Sequence, residues 1–395
     1  MKVLILLAAL AFYLLVPALV VRLCRKVSFF GKVGAILTLY FLGVLVANLF
    51  IFRVPGLGER MFPLQDALSS ITIPLAIPMI LFACDFRRWP AGKALVSLLV
   101  GLVSVVVVSA AGYLLFRRHL GGQAASIAGM AVGVYTGGTP NLAAIKMMLG
   151  VDERTYVLMN TFDMLVSFLY LVFLLSVGIR LVRRVLPAYT DRSLPEEPIA
   201  VAESGSHAMV RGEEELYRDI FTKEHFLPTL AALGLSVLIV GISLGLSFLL
   251  TGKVNMIILI LGLTTLAIAA SFLPRVRAWA KSYDAGMYLV LVFSLVVSSM
   301  VDLGGLDWQA GAYLLLYIAF VIFLSLGLQL LLGKLFKVDA DTTIITSVAM
   351  INSPLFVPMI ADAMKNRRII LTGITVGIIG YAVGNYLGVL LAHIL

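Results

Sequence analysis

Two short polar breaks interrupt long apolar stretches of this 395-residue chain. One is "GGTPN" around Pro140, and the other is "NSPLF" around Pro354. Glycine can end a helix with a positive φ, Thr139 and Ser353 are suited to cap the next helix, and proline is favoured at its first position. Each break therefore predicts a helix N-terminus in an apolar region, where unpaired N–H groups and a partial positive charge suit an anion.

The helical arms before the two breaks end near Thr136 and Met350 and would expose carbonyl oxygens, which suit Na⁺ when polar side chains join them. A simple kink in a spanning helix is the alternative explanation of either break. We favour a binding role because both halves of the chain carry a polar break at the same place. The predicted substrate-binding residues are Gly137, Gly138, Thr139, Asn141, Asn352 and Ser353.

An acidic residue, Asp163, lies about two turns inside another apolar segment, where an ionised carboxylate costs about 2.5 to 3.5 kcal/mol or more. Asn160 precedes it by three residues on the same helical face, so the pair could bind Na⁺ or carry a proton. A structural hydrogen bond to a hairpin end is the alternative. Asn385, in "GYAVGNYLG", offers a further amide that could equally join two helices. The predicted ion-coupling residues are Thr136, Asn160, Asp163 and Asn385.

The composition predicts an all-α polytopic membrane protein, because 61% of the residues are apolar and 13% are charged. A net charge of +9 could indicate nucleic acid, but the basic residues lie in short loops between apolar runs. That distribution is typical of membrane-helix orientation, so we expect a lipid bilayer and no nucleic acid as partner. The chain carries no Walker lysine motif, no HExxH and no plausible Ser/His/Asp set. We therefore expect neither an enzyme nor a cofactor beyond a coupling Na⁺ or H⁺.

Twelve hydrophobic segments can be distinguished, with one long polar stretch between the sixth and the seventh. This stretch, residues 183–226, predicts a linker between two halves, residues 1–182 and 227–395. The approximate bounds of the segments are 3–21, 30–51, 66–84, 93–116, 123–149, 155–179, 227–250, 254–273, 283–303, 307–333, 340–364 and 369–395.

The two halves resemble each other in sequence. "GKV" occurs at Gly31 and at Gly252, "WPAGKAL" at Trp89 resembles "WQAGAYL" at Trp308, and the two proline breaks correspond. The offsets of 221, 219 and 214 residues are nearly constant, which predicts an internal duplication of six segments.

The distribution of positive charge predicts the orientation of these halves. If all twelve segments crossed the membrane, the Lys and Arg residues would divide 13 to 17 between its sides. If the fifth and eleventh segments are re-entrant, they divide 22 to 8. The positive-inside rule then predicts two inverted repeats, each with five transmembrane helices plus one broken or re-entrant element. The linker would be cytoplasmic and both termini outside, in the bacterial cytoplasmic (inner) membrane.

This order of segments resembles the sodium/glutamate symporters and the 2-hydroxycarboxylate transporters, whose paired hairpins carry glycine-rich tips. The string "GGTPNLAAI" is more similar to a family of bacterial membrane proteins of unknown function, the domain of unknown function 819 family. We place that family in the cation:proton antiporter and anion transporter superfamily. The resemblance implies an ion-coupled carrier, a homodimer, with a scaffold part and a mobile part that holds both hairpins. The second break lacks a Gly-Gly pair, so substrate and coupling ion are not carried over.

Together these observations predict an ion-coupled secondary active transporter of a small organic solute, an anion such as a carboxylate or an amino acid. Its site would lie at the tips of the two opposed broken helices, and an elevator or rocking motion would expose it to each side. The alternative is a non-transporting sensor or assembly scaffold that retains a transporter fold. A long folded cytoplasmic insertion would favour that alternative, whereas the linker is polar and irregular.

Overall fold

The computed structural model describes residues 2–27, 30, 34–54, 56–84, 92–189, 223–279, 281–301 and 308–395. Every regular element within these ranges is helical. A helix satisfies its backbone hydrogen bonds within one segment, which is what long apolar sequences need in a bilayer. Most of the predicted linker, and the repeat motifs at Gly31 and Trp89, lie outside the described residues.

The first half contains seven α-helices within these ranges. A π-helical turn extends α2 through residues 47–51, and another joins α6 to α7 at residues 174–178. Asp152 caps α6, since its carboxylate accepts a hydrogen bond from the Thr155 backbone N–H. The helices are α1 (Lys2–Lys26), α2 (Ala35–Val46), α3 (Leu57–Phe82), α4 (Lys93–Leu120), α5 (Ala124–Leu149), α6 (Glu153–Phe173) and α7 (Ile179–Val185).

The second half contains eight α-helices in its described part. Asn255 caps α9 by accepting hydrogen bonds from the Ile257 and Ile258 backbone N–H groups, and Asp339 caps α13 by accepting one from the Thr342 backbone N–H. The helices are α8 (Lys223–Thr251), α9 (Met256–Ser271), α10 (Pro274–Arg277), α11 (Ser282–Ser298), α12 (Trp308–Leu335), α13 (Ala340–Ile351), α14 (Val357–Met364) and α15 (Ile370–Ile394).

Within the part of the chain that the structure describes, seven helical stretches are long and apolar enough to cross a membrane, so the chain is a multi-pass membrane protein. Four shorter apolar helices, Thr38–Ile51, Met256–Ser271, Ser282–Ser298 and Ala340–Ile351, account for further predicted segments. Whether these shorter helices also cross the membrane, as the ten crossings predicted from the sequence require, stays a prediction. The seven longer stretches are Leu6–Lys26, Leu57–Phe82, Lys93–Leu149, Glu153–Val185, His225–Thr251, Gly311–Leu335 and Arg367–Ile394.

The helices pack as two groups. One group consists of α1, α2, α3, α8, α9 and α11, which contact one another extensively. The other consists of α4 to α7 and α12 to α15. The groups meet mainly where α5 contacts α3 and α9, and where α6 contacts α2 and α11. We call them the first-helix group and the hairpin group.

Segments that the sequence matches between the halves also contact each other. Helix α3 packs against α11, and α4 packs against α12. In the first of these contacts Gly286 of α11 lies against α3, where a Cβ would come within 2.9 Å of the Ala76 carbonyl oxygen. The small residue therefore allows the two backbones to approach closely.

Candidate substrate and ion site

The fifth segment folds back on itself at Gly138. This residue has φ 71° and ψ −168°, in a region that favours glycine, whereas its neighbours in α5 are helical. A Cβ on Gly133 would overlap Ile145 Cδ1 and would lie 3.5 Å from the Asn141 carbonyl oxygen. In an uninterrupted helix, twelve residues would separate positions 133 and 145 by about 18 Å. The two arms of α5 therefore lie side by side as a hairpin, which we call hairpin 1. Its break falls one residue before the N-cap predicted at Thr139.

The eleventh segment forms a second hairpin, hairpin 2, from α13, a short 3₁₀ turn and α14. Its tip contains Ser353, whose φ of 121° is unusual for a residue other than glycine. A Cβ on Gly373 of α15 would lie 2.8 Å from both Ile345 Cγ1 and Val357 Cγ1, so the two arms lie close together. The break at Pro354 thus separates two short helices that contact the same helix, α15.

The base of hairpin 2 is held by Arg183, near the linker end of α7. The Arg183 Nε and Nη2 atoms bind the two carboxylate oxygens of Asp341 at 2.8 and 3.0 Å. Arg183 Nη2 also donates to the Met364 carbonyl oxygen at 2.8 Å, which joins the start of α13 to the end of α14. Asn366 Nδ2 donates to the same carboxylate at 3.0 Å.

Hairpin 1 is held at the opposite end of the same long helical stretch. Lys146 Nζ lies 2.7 Å from Glu153 Oε1, in the first turn of α6, and the lysine is buried. Glu153 and Arg183 are thirty residues apart on a stretch that is helical from end to end, apart from its π-helical turn. At about 1.5 Å per residue this is about 45 Å, more than the hydrocarbon thickness. The two hairpins are therefore based at opposite ends of one helical stretch.

Glycines allow α15 to contact both hairpins closely. A Cβ on Gly380 would overlap the Thr136 carbonyl oxygen, and a Cβ on Gly388 would lie 2.5 Å from the Gly129 carbonyl oxygen. A Cβ on Gly377 would overlap the Pro354 ring of hairpin 2. Successive spacings of three and eight residues keep these small positions on one face of the helix.

The two hairpin tips come together at Tyr381 of α15. A Cβ on Gly138 would lie 3.7 Å from the Tyr381 hydroxyl oxygen, and the same hydroxyl lies close to the side chains of Ser353 and Tyr283. Asn141 Nδ2 donates to the Tyr381 carbonyl oxygen at 3.2 Å. Tyr381 is buried. We refer to this region as the tip cluster.

Tyr283 belongs to α11, in the first-helix group, whereas the other members of the tip cluster belong to the hairpin group. The tip cluster therefore lies where the two groups meet. Four predicted substrate residues, Gly137, Gly138, Asn141 and Ser353, are in or next to it. Tyr381 and Tyr283 were not predicted from the sequence. The position of a tyrosine within the glycine-rich "GYAVGNYLG" is the signal that could have identified the first of them.

Asp163 lies in a second polar region, between α6, α5 and hairpin 2. Its carboxylate accepts a hydrogen bond from Ser167 Oγ at 3.2 Å, and the buried Tyr135 hydroxyl lies near it without a hydrogen bond to the described residues. Asn352, at the tip of hairpin 2, contacts this region and not the tip cluster with its amide nitrogen. Its Nδ2 atom donates to the Ser167 carbonyl oxygen at 3.0 Å. Asn160 is completely buried one turn before Asp163. We call this region the acidic cluster.

The four predicted ion-coupling residues are divided between the two regions. Asn160 and Asp163 belong to the acidic cluster. The Thr136 hydroxyl donates to the Val132 carbonyl oxygen at 2.7 Å and faces Gly384 of α15. Asn385 is completely buried next to Gly384, and neither polar atom of its amide has a partner in the described residues. Thr136 and Asn385 are thus associated with the contact between α5 and α15.

These features define a multi-pass helical membrane protein with two helical hairpins that meet inside it. The family model described as "Protein of unknown function (DUF819)" matches residues 5–395, so the chain belongs to this family. The chain is similar to "Uncharacterized membrane protein YjcL" of Bacillus subtilis (strain 168). The two are 25% identical over 364 residues, which cover 89% of this chain and 88% of the relative.

Proposed function

We propose that this protein is an ion-coupled secondary active transporter of a small organic anion, a carboxylate or an amino acid, in the bacterial cytoplasmic membrane. One observation carries the proposal: two broken helices, based at opposite ends of the same helical stretch, end beside one buried residue, Tyr381. Interrupted helices are tolerated at membrane depth where they line a cavity or are buried in protein. Paired interruptions of this kind are typical of the binding sites of secondary transporters.

The chemistry of the tips favours an anionic solute. The second arm of each hairpin begins at the tip, so its first N–H groups have no partner within that helix. The helix dipole adds a partial positive charge at the same place. Hydroxyl groups of Tyr381 and Ser353 are close by and can donate hydrogen bonds to a carboxylate.

The packing in two groups supports alternating access. We propose that the hairpin group moves as one body, because α15 contacts both hairpins through glycines, and that the first-helix group is the scaffold. Tyr283 of the scaffold would then bind Tyr381 in one state and release it in another. A homodimer would form through the scaffold. Both an elevator motion and a rocking motion are compatible with these contacts.

The proposed layout is two inverted repeats with a cytoplasmic linker and both termini outside. Contacts between matched segments, α3 with α11 and α4 with α12, support it, because a two-fold axis brings equivalent elements together. The hairpin bases at opposite ends of the helical stretch from α6 to α7 also support it. Single cysteines at Arg154 and Arg368 test the orientation: a membrane-impermeant thiol reagent should label the first from outside and the second only from within. The reverse result would contradict it.

Uptake into proteoliposomes tests the function. Labelled carboxylates and amino acids should accumulate when a Na⁺ or pH gradient is imposed, and Asp163→Asn and Asn141→Ala should reduce this uptake. Asn255→Ala, which removes a helix cap away from both clusters, is the control for a general loss of stability. Flux that both substitutions leave unchanged would contradict the site. Absence of flux with every solute would favour the non-transporting sensor or scaffold.

A further inference from the structure

We propose that the coupling ion is Na⁺ and that it binds in the acidic cluster, with oxygen ligands from Asp163, Asn160, Tyr135 and Ser167. This inference rests on the proposed transport function, which left Na⁺ and H⁺ open. It assigns the ion to a site between α5 and α6, separate from the tip cluster that would bind the solute.

The first observation is an unsatisfied oxygen. Asn160 is 0% exposed, and its Oδ1 atom has no hydrogen-bond partner among the described residues. Its Nδ2 atom lies 3.6 Å from Met164 Sδ, one turn further along α6. A buried acceptor without a donor is costly. A cation beside the carboxylate would satisfy this oxygen, because amide and carboxylate oxygens are ligands of hard cations.

The second observation is the charge of the surroundings. Asp163 is the acidic member of the cluster. Ser167 Oγ donates to its carboxylate, and the nearby Tyr135 hydroxyl has no hydrogen bond among the described residues. One carboxylate with neutral oxygens matches a monovalent cation, whereas divalent ions are usually bound by several carboxylates. An ionised carboxylate in a membrane interior also requires a counter-charge, which Na⁺ would supply.

The third observation links the ion site to the tip of hairpin 2. Asn352, at the tip of hairpin 2, is attached to the Ser167 carbonyl oxygen, one turn beyond Asp163 on α6. The next residue, Ser353, interacts with Tyr381 in the tip cluster. An ion that orders this turn of α6 therefore also orders the tip of hairpin 2 near the solute. By linkage, Na⁺ and solute should each raise the affinity for the other.

Thermal unfolding of the purified full-length protein, without solute, tests the ion site directly. Equal concentrations of NaCl, KCl and choline chloride are compared at constant pH. A ligand that binds only the folded state raises the unfolding temperature, so NaCl should stabilise the protein more than the other two salts. Asp163→Asn should abolish this specific stabilisation. Asn160→Ala removes one ligand and should raise the Kd for Na⁺ about tenfold or more.

The control is Asn48→Ala, since the Asn48 amide donates to the Val44 and Val301 carbonyl oxygens outside the cluster. This variant should unfold at a lower temperature and keep the full Na⁺ effect. Equal stabilisation by all three salts would overturn the inference, as would a Na⁺ effect that Asn160→Ala leaves intact. Uptake driven by a pH gradient alone, and lost in Asp163→Asn, would then show that the transport proposal stands and that Asp163 carries a proton.

The link between the ion site and the tip of hairpin 2 can be tested separately, by measuring how Na⁺ changes the affinity for solute. Asn352→Ala removes the hydrogen bond to the Ser167 carbonyl oxygen and should reduce the effect of Na⁺ on solute affinity, measured as the ratio of the solute Kd without and with Na⁺. An undiminished effect of Na⁺ on solute affinity in this variant would overturn the proposed link. Specific Na⁺ binding without transport of any solute would refute the transport function and leave the ion site intact.

Discussion

The close approach of α15 to hairpin 1 can be tested with Gly380→Ala. The added Cβ would overlap the Thr136 carbonyl oxygen and lie 2.9 Å from the Thr136 carbonyl carbon. Both are backbone atoms, so no side-chain rotation can relieve the overlap, and α5 must move away from α15. Such overpacking costs about 1 to 3 kcal/mol. The separation should also lengthen the 3.2 Å hydrogen bond between Asn141 Nδ2 and the Tyr381 carbonyl oxygen at the tip.

The matched variant is Gly241→Ala, which makes the same change within α8. A Cβ on Gly241 meets nothing within 4 Å in the described structure. Alanine favours a helix by about 1 kcal/mol over glycine at either position, so the difference between the two variants isolates the overlap. Gly380→Ala should be the less stable by about 1 to 3 kcal/mol in denaturant unfolding. Its uptake should fall about tenfold or more, because the tip is displaced. Equal stability of the two variants would refute the close packing of α15 against hairpin 1.

Three further substitutions have defined outcomes. Tyr381→Phe should weaken solute binding about fivefold to tenfold by removing a hydroxyl from the tips, whereas Tyr386→Phe on the same helix should not; binding assays on both decide this. Asp341→Asn should lower the free energy of unfolding by about 1 to 3 kcal/mol, because it loses a bidentate guanidinium pair at the base of hairpin 2. Lys281→Met should lower the free energy of unfolding by about 3 to 5 kcal/mol, because the buried Asp284 carboxylate loses the ammonium group that lies 2.8 Å from it. An unchanged free energy of unfolding in Asp341→Asn or Lys281→Met would contradict the corresponding contact.

The sequence was sufficient to locate the breaks in the helices. "GGTPN" contains a residue that tolerates a positive φ followed by a proline, and the structure breaks α5 at Gly138. "NSPLF" separates α13 from α14 in the same way, with Pro354 at the start of the 3₁₀ turn. Local conformational preferences of glycine and proline hold wherever the chain folds, which is why these positions could be predicted. The exact capping residue could not, because Thr139 and Gly138 are both compatible with the local pattern.

The sequence also indicated Asp163 and Asn160 as partners, since residues three apart share a helical face. It did not indicate that Asn352 would contact the acidic cluster instead of the tip cluster. Asn352 and Ser353 are adjacent in sequence, and only the packing of hairpin 2 between α6 and α15 directs one to Ser167 and the other to Tyr381. Side-chain direction at a tip depends on backbone angles such as the φ of 121° at Ser353, which no periodicity reveals.

The sequence by itself therefore determined the membrane environment, the helical segments, the two breaks and the isolated buried acid. These features follow from hydrophobicity and from local backbone preferences, which act over a few residues. The tertiary structure alone decided between a kink and a hairpin at each break, and it alone showed that Tyr381 lies between the tips. These features depend on contacts between residues more than a hundred positions apart, such as Gly138 with Tyr381, and on glycines that allow backbones to touch.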